Sequence, residues 1–286
     1  MKITDLLATG PTYSFEFFPP KTPAAADALA AALLELEPLA PSFVSVTYGA
    51  GGGTREMTHD IVTRFHRESS ITAMAHLTCV CHTRAELVGI ASRYRDAGIE
   101  NILALGGDPP KDLDLPRGDL EHAVELVELL REVGDFSIGV AAFPEPHPKS
   151  ASLTDDRRRT AEKLAAADFA ITQFFFDAKH YFDLVATLHE LGVDKPVIPG
   201  IMPATAISSI QRMTELQGSE FPAWLAEKLY AVEDDPEAVF NVGVDEATKL
   251  SQRLIEGGAP GLHFITLNRS RATRMIYANL DLMPAG

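Results

Sequence analysis

The sequence alternates regularly between short apolar segments rich in β-branched residues and longer segments with helical patterning. Eight segments are predicted to be strands, and they are residues 13–18, 43–48, 71–80, 101–105, 136–143, 169–176, 196–201 and 261–267. Such alternation implies right-handed crossovers and a parallel sheet. Eight units in a chain of 286 residues favour an α/β fold of the closed (β/α)8 TIM barrel type over an open, doubly wound sheet.

Helical patterning fills the intervals between the predicted strands. The expected helices are residues 21–40, 54–68, 84–97, 119–133, 155–167, 180–191 and 270–280. The interval before the last strand is longer than the others, and two or three helices are predicted there, roughly at residues 206–216, 222–232 and 236–257. No linker or low-complexity segment interrupts this pattern, so residues 1–286 are predicted to be a single catalytic domain.

Composition excludes several classes of function. A formal net charge of −15 argues against nucleic acid and anionic membranes as partners. The sequence has no run of 18 apolar residues and no apolar signal core after Met1, so we expect a cytoplasmic protein without a membrane partner. Cys79 and Cys81 lie near His76 and His82, but their spacing fits no standard zinc pattern, so no metal site is predicted.

The first strand places a carboxylate among aromatic residues. Alternate side chains on a strand share a face, so Glu16 points away from the face that carries Phe15 and Phe17. If the aromatic face packs under helices, Glu16 points into the barrel. A buried carboxylate costs several kcal/mol unless it is paired, neutral or in use. Both an ion pair with a buried Arg or Lys and a functional acid fit this position.

Polar residues follow almost every predicted strand. Barrel enzymes carry out their chemistry at the carboxyl ends of the strands. The candidates there are Glu16, Thr47, Tyr48, His76, Thr78, Asp108, Glu145, His147, Gln173, Asn268 and Arg269. No lysine ends a strand, which argues against Schiff-base chemistry. The pattern therefore predicts proton transfer by a carboxylate and polar binding of a flat ligand.

These strand ends resemble the catalytic barrel of the methylenetetrahydrofolate reductase family, in that family's order and spacing. The matching segments are residues 14–20, 46–50, 76–78, 107–109, 147–148, 171–176, 199–201 and 266–269. The resemblance implies that NADH or NADPH supplies hydride to FAD, and that the flavin reduces 5,10-methylenetetrahydrofolate to 5-methyltetrahydrofolate for methionine synthesis. Another flavin-dependent barrel oxidoreductase and a non-catalytic folate- or flavin-binding barrel are the alternatives.

Roles follow from this resemblance position by position. Glu16 matches the acid that assists opening of the methylene bridge, for which a raised pKa is expected. Asp108 matches the carboxylate beside flavin and pterin, which favours the cationic iminium. Gln173 matches a pterin or nicotinamide contact, and Arg269 a substrate contact. The matching cofactor contacts are Thr47, Tyr48, Ala50, His76, Gly107, Asp108, Ala123, Phe143, His147, Asp156, Lys163 and Gln173.

Two positions depart from the family pattern. Gly106 stands where many relatives carry an Arg that is expected to contact the flavin phosphates, and Phe143 stands where a Tyr is often found. Loss of a charge-assisted contact costs about 1.5–3 kcal/mol, which weakens binding about tenfold to a hundredfold. Bound FAD and direct, flavin-free hydride transfer from the nicotinamide therefore both remain open. Residues 157–159 with Lys163 are either a cation patch or a solvated face. The sequence does not give the oligomeric state, although barrels of this class often associate into homo-oligomers.

Overall fold

Eight parallel strands close into a barrel in sequential order, within the residues that a computed structural model describes (1–49, 55–107 and 118–284). The strands are β1 (Thr12–Phe17), β2 (Phe43–Val46), β3 (Thr72–Thr78), β4 (Asn101–Leu105), β5 (Ser137–Ala142), β6 (Phe169–Phe174), β7 (Val197–Ile201) and β8 (Gly261–Ile265). The predicted (β/α)8 TIM barrel is confirmed.

The first helix precedes β1, and the others follow the strands on the outside of the barrel. They are α1 (Ile3–Thr9), α2 (Pro23–Leu36), α3 (Arg55–Glu68), α4 (Arg84–Asp96), α5 (Ala123–Val133), α6 (Leu153–Ala166), α7 (Ala178–Glu190), α8 (Ile207–Gln217), α9 (Ala223–Tyr230), α10 (Pro236–Glu256) and α11 (Arg271–Asn279). The extra helices before the last strand are confirmed as α8, α9 and α10. Across the described part of the chain, no helix is both long and apolar enough to cross a membrane.

The outer face of β1 packs under helices as the alternation predicts. Phe15 contacts Tyr277 of α11 with ring centroids 5.4 Å apart, and Phe17 stacks on Phe65 of α3 at 6.1 Å. Both phenylalanines are fully buried. Because successive side chains on a strand point to opposite faces, this packing directs Glu16 into the barrel.

The interior of the barrel is apolar at its amino end. Side chains from five strands form this floor, and they are Phe43, Met74, Leu103, Phe169, Ile171 and Ile198. Helix α1, which the sequence did not predict, covers the floor with the fully buried Ile3. The buried Asn101 fastens α1 to the barrel, since its Oδ1 accepts the Ile3 N–H at 2.7 Å and its Nδ2 donates to the Ala73 carbonyl at 3.2 Å.

Closure of the barrel depends on the seam between β1 and β8. The register pairs Thr12 with Gly261 and Glu16 with Ile265. Gly261 has φ +144°, and a Cβ at this position would overlap the backbone of Thr12. Only glycine lets the two strands approach this closely.

Gly261→Ala is therefore expected to lower the free energy of unfolding by at least about 3 kcal/mol, since backbone strain and overpacking add. Chemical denaturation monitored by circular dichroism measures this change. The matched control is Gly258→Ala, because Gly258 has φ +85° but no atom within 4 Å of an added Cβ. In that control the free energy of unfolding is expected to fall by only about 1–2 kcal/mol, which is the cost of a left-handed backbone at a residue other than glycine. Equal losses in the two variants would contradict the proposed crowding at the seam.

Candidate active site at the barrel mouth

Glu16 lies inside the barrel toward the carboxyl ends of the strands, between two histidines. Its Oε2 is 3.6 Å from Nε2 of His76 on β3 and 3.5 Å from Nε2 of His263 on β8. The Glu16 side chain is 14% exposed, and both histidines are almost completely buried. The alternative that an Arg or Lys pairs with Glu16 is wrong within the described residues, where histidines surround the carboxylate instead.

His263 belongs to this site, although the sequence analysis did not select it. Its Nδ1 lies 2.7 Å from the Ser14 hydroxyl, and its Nε2 lies 3.4 Å from the Ser45 hydroxyl. The residue sits in the middle of β8 rather than at the strand end, so a search of strand ends misses it. The alternation of side chains along β8 could have identified this residue. Leu262 and Phe264 face the helices, so His263 between them faces the barrel interior.

The pKa of Glu16 moves in the direction opposite to the one expected from the sequence. Burial raises the pKa, but the close contact with His263 and the electrostatic interactions with His263 and His76 lower it by more. The net shift is downward, so the expectation of a raised pKa is wrong for this structure. The physical reason is that the sequence predicted the burial of Glu16 without predicting its histidine neighbours.

His76 is held in its neutral form at physiological pH. Burial lowers its pKa to about 4, although the Glu16 carboxylate acts to raise it. Its Nε2 is buried and has no hydrogen-bond partner in the described structure, because the carboxylate is too distant for a hydrogen bond. A buried polar atom without a partner is uncommon, so this nitrogen is available to a ligand in the barrel mouth.

The loops after β2 and β3 meet at the rim. Thr47 is half-buried, and its N–H donates to the Phe17 carbonyl at 2.9 Å. Tyr48 is buried with its hydroxyl 3.0 Å from Nε2 of His82, and burial raises the pKa of the Tyr48 hydroxyl. These two predicted flavin contacts therefore lie together beside the mouth, with Thr47 next to the strand that carries Glu16.

The loop after β4 is described only in part. Gly106 and Gly107 directly follow the strand, and Gly107 has φ +84° with the Val80 side chain packed where a Cβ would lie. The predicted site residues Ala50 and Asp108 fall outside the described residues. Ala123, another predicted contact, is the first residue of α5, and an added Cβ on Gly106 would lie 3.9 Å from its backbone nitrogen.

The loop between β5 and α6 is fastened by a buried ion pair. Asp156 accepts hydrogen bonds from the His147 N–H at 3.3 Å and the Ser150 hydroxyl at 3.0 Å. Arg157 lies 3.5 Å from Asp156 and donates to the Phe143 carbonyl at 2.6 Å. The Phe143 ring meets the His147 ring edge to face, with centroids 4.5 Å apart. Asp156 therefore stabilises the loop that carries these two predicted contacts.

The arginine run of α6 is not a free cation patch. Arg157 is buried in the loop, while Arg158 and Arg159 both pair with Asp155, at 2.9 and 2.8 Å. Lys163 differs, because no hydrogen bond or ion pair joins its ammonium group to the described residues. Burial lowers the pKa of Lys163 to about 8, although Asp156 acts to raise it. Of the basic residues considered on α6, Lys163 is the one suited to receive an anion.

Gln173 and Arg269 present polar groups that the described protein does not use. Gln173 lies on the inward face of β6 with Phe169 and Ile171, and its carboxamide makes no hydrogen bond to a described residue. Arg269 is exposed after β8, and its guanidinium is likewise unpaired within the described ranges. It lines a cavity of about 510 Å³ between α2 and the loops after β7 and β8.

Metal chemistry finds no support among the described side chains. Within residues 1–49, 55–107 and 118–284, no group of three or more His, Cys, Asp or Glu residues could hold a metal ion. Cys79 and Cys81 are free, with Cys79 buried. The arrangement combines one buried carboxylate with histidines, and it is suited to moving a proton in a partly enclosed space.

Comparisons with known proteins identify relatives over almost the whole chain. A family model described as methylenetetrahydrofolate reductase matches residues 2–281. The chain is 38% identical over 272 residues to the 5,10-methylenetetrahydrofolate reductases of Pectobacterium carotovorum and Escherichia coli, covering 95% of this chain and 90% and 91% of those proteins. It is 37% identical to methylenetetrahydrofolate reductase 2 of Schizosaccharomyces pombe, with 48% of that protein covered.

A solved structure shares the fold. It is an uncharacterized protein from Clostridium thermocellum that binds two copies of 5-methyl-5,6,7,8-tetrahydrofolic acid. The TM-score is 0.69 at 17% sequence identity, and 97% of each chain is covered. At this identity the likeness shows the fold alone, which agrees with the barrel found here.

The depressed pKa of His76 predicts acid sensitivity of the fold. The unfolded chain binds a proton at this position near pH 6.5, whereas the native site binds it only near pH 4. The contribution of neutral His76 to the free energy of unfolding is therefore fully present above pH 6.5, and it is lost as the pH falls toward 4. We expect the difference in unfolding free energy between wild type and His76→Gln to shrink by about 1.5 kcal/mol from pH 6.5 to about pH 5.

Denaturant unfolding at several pH values measures this difference. His189→Gln is the control, because the hydrogen bond to Asp194 raises the pKa of the exposed His189 and its contribution has the opposite sign. Parallel pH profiles for wild type and His76→Gln would contradict the burial of a neutral His76.

Proposed function

Because the chain belongs to the methylenetetrahydrofolate reductase family of oxidoreductases, we propose that it reduces 5,10-methylenetetrahydrofolate to 5-methyltetrahydrofolate with hydride from NADH or NADPH. This reaction would supply one-carbon units to methionine synthesis. The observation that carries the proposal is the buried carboxylate of Glu16, which lies between two histidines at the mouth of the barrel. The relatives' names support the reaction, and the geometry supports the role of Glu16.

Opening of the methylene bridge breaks a C–N bond, and the leaving nitrogen needs a proton. The contacts with the two histidines lower the pKa of Glu16, so Glu16 is ionised at neutral pH. A folate in the mouth would exclude water from the remaining exposed part of the side chain, and desolvation favours the protonated form of a carboxylate. We propose that substrate binding raises the pKa of Glu16, so that Glu16 takes up a proton and then donates it.

The histidines control how this proton is held. Nε2 of His263 lies 3.5 Å from the Glu16 carboxylate, and Nδ1 lies 2.7 Å from the Ser14 hydroxyl, which restrains the orientation of the imidazole ring. His76 stays neutral and offers its free Nε2 to the ligand. Asp108 is proposed as the anion that stabilises the iminium cation, and this role rests on the resemblance of its sequence segment alone.

Two unpaired polar groups are suited to bind the folate. The Arg269 guanidinium can bind a carboxylate through two parallel hydrogen bonds, and it lines a cavity of about 510 Å³. Folates carry such a carboxylate at the end opposite the pterin ring. The inward carboxamide of Gln173 offers both donors and an acceptor, which suits a pterin or a nicotinamide. The folate bound by the structurally similar Clostridium thermocellum protein supports this ligand class.

FAD fits the residues at the rim in part. The half-buried, unpaired ammonium of Lys163 suits a phosphate, and Gly107 allows close approach of a ligand to the backbone. Thr47, Tyr48, His76 and His147 are proposed to contact the flavin. Bound FAD would accept hydride from the nicotinamide and pass it to the folate. Family enzymes use a flavin and a pyridine nucleotide, so FAD is the cofactor that we favour.

One observation supports the flavin-free alternative. Gly106 provides no cation beside β4, and no atom of the described structure lies within 3.7 Å of the Cβ that a larger residue would add there. Hydride would then pass from NADH directly to the folate. A non-catalytic folate- or flavin-binding barrel is a weaker candidate, because binding alone requires no buried proton donor.

Glu16→Gln is expected to keep folate binding and to lower folate reduction by at least about a hundredfold, the usual contribution of a general acid. Formation of 5-methyltetrahydrofolate under anaerobic conditions, with each nicotinamide in turn, measures the rate. Glu246→Gln is the matched control, because the Glu246 side chain is also 14% exposed but pairs with lysines on the outer surface. Full turnover in Glu16→Gln would remove Glu16 from the mechanism.

Lys163→Met is expected to weaken FAD binding at least about tenfold, because a charge-assisted contact is lost. In wild type the affinity should also fall above about pH 8, where Lys163 loses its proton, and this pH dependence should vanish in the variant. Quenching of flavin fluorescence measures binding. Lys195→Met is the control, since Lys195 donates to the carbonyls of Ala165 and Ala167 at the carboxyl end of the same helix. Colourless protein whose NADH oxidation depends on folate and is indifferent to added FAD would establish the flavin-free route.

A further inference from the structure

The chain leaves β8 through an unusual turn that ends at Arg269. Leu267 and Asn268 have φ values of +49° and +58°, so two consecutive residues other than glycine adopt the left-handed conformation. Asn tolerates this conformation well, whereas Leu rarely adopts it. The Arg269 N–H donates to the Thr266 carbonyl at 2.9 Å and closes the turn. Such strained backbone persists only where surrounding contacts hold it in place.

Asn268 binds the backbone of the neighbouring strand at two points. Its Oδ1 accepts the Phe18 N–H at 2.9 Å, and its Nδ2 donates to the Phe18 carbonyl at 2.9 Å. The side-chain amide thus takes the place of a peptide group of β8, which has already turned away from the sheet. The pairing between β1 and β8 ends at Glu16 and Ile265, so this contact extends the seam past the end of β8.

Thr266 adds a second contact directly on Glu16. Its hydroxyl donates to the Glu16 carbonyl at 2.7 Å, and its N–H reaches the same oxygen at 3.3 Å. The Asn268 N–H in turn donates to the Thr266 hydroxyl oxygen at 3.1 Å. The backbone from Glu16 to Phe18 is therefore held on its β8 side by two side chains of the turn, and the Thr47 N–H holds Phe17 on the β2 side at 2.9 Å.

We infer that Asn268 is a positioning residue, which sets the place of the Glu16 carboxylate relative to a substrate bound at the adjacent Arg269. The inference rests on the proposed function, because it takes Glu16 as the acid and Arg269 as the substrate anchor. The turn of residues 266–269 contacts the Glu16 backbone through Thr266 and carries Arg269 at its other end, so one short segment links the positions of the acid and the anchor. A misplacement of about 1 Å at a reacting centre can lower the rate a hundredfold.

The test is Asn268→Gly, which introduces a residue that tolerates φ +58° and removes the side chain with its amide. We expect kcat for folate reduction to fall by about tenfold to a hundredfold, with a smaller change in the folate KM. We also expect the variant to have no further effect when Glu16 is already Gln, because a residue that acts through Glu16 has nothing left to position. This comparison of single and double variants separates positioning from general destabilisation.

Asn101→Ala is the matched control. Asn101 also fastens backbone segments through both ends of its amide, but it does so at the floor of the barrel. It is expected to lose stability in denaturant unfolding while kcat keeps its wild-type value. Unchanged kcat in Asn268→Gly, or an equal loss in the Glu16→Gln background, would overturn this inference alone. Wild-type protein that forms no 5-methyltetrahydrofolate would overturn the proposed function and this inference with it.

Discussion

The burial of one carboxylate inside a closed ring of strands is the constraint on which this site depends. Water reaches only a small part of the Glu16 side chain, so the protein must supply polar neighbours, and these are His76 and His263. The Ser14 and Ser45 hydroxyls contact His263 in turn. Histidines can balance a carboxylate without removing it from proton exchange, as a permanently charged arginine would. Burial of the Glu16 carboxylate lowers the free energy of unfolding, and it also makes the protonation of Glu16 sensitive to a ligand.

The two ends of the barrel differ in polarity and in role. The floor is apolar and is covered by α1, whereas the mouth carries the polar groups. An asparagine fastens the backbone at each end, Asn101 at the floor and Asn268 at the rim. A side-chain amide has the same donor and acceptor as a peptide group, so it can continue a sheet where the strand itself has ended. The contacts at the floor make the barrel rigid, and the contacts at the rim hold the Glu16 backbone on this rigid frame.

Anion binding in so acidic a chain must depend on local charge. Most cations considered at the mouth are already paired, as Arg157 to Arg159 show. Lys163 and Arg269 lack a partner in the described residues, and they lie on α6 and after β8. Two separate unpaired cations suit two separate anionic groups, such as a cofactor phosphate and a folate carboxylate. Gly106 adds no third cation at the end of β4.

The sequence by itself determined the barrel and the direction of Glu16. Strand and helix periodicities are local properties, and eight alternations leave few topologies. The structure alone revealed α1, a helix of seven residues that is too short to be stable without the floor beneath it. It also decided the partners of Glu16, because His263 becomes its neighbour only when β8 closes against β1. The direction of the Glu16 pKa followed from those partners, since burial and charge oppose each other and only their distances decide which prevails.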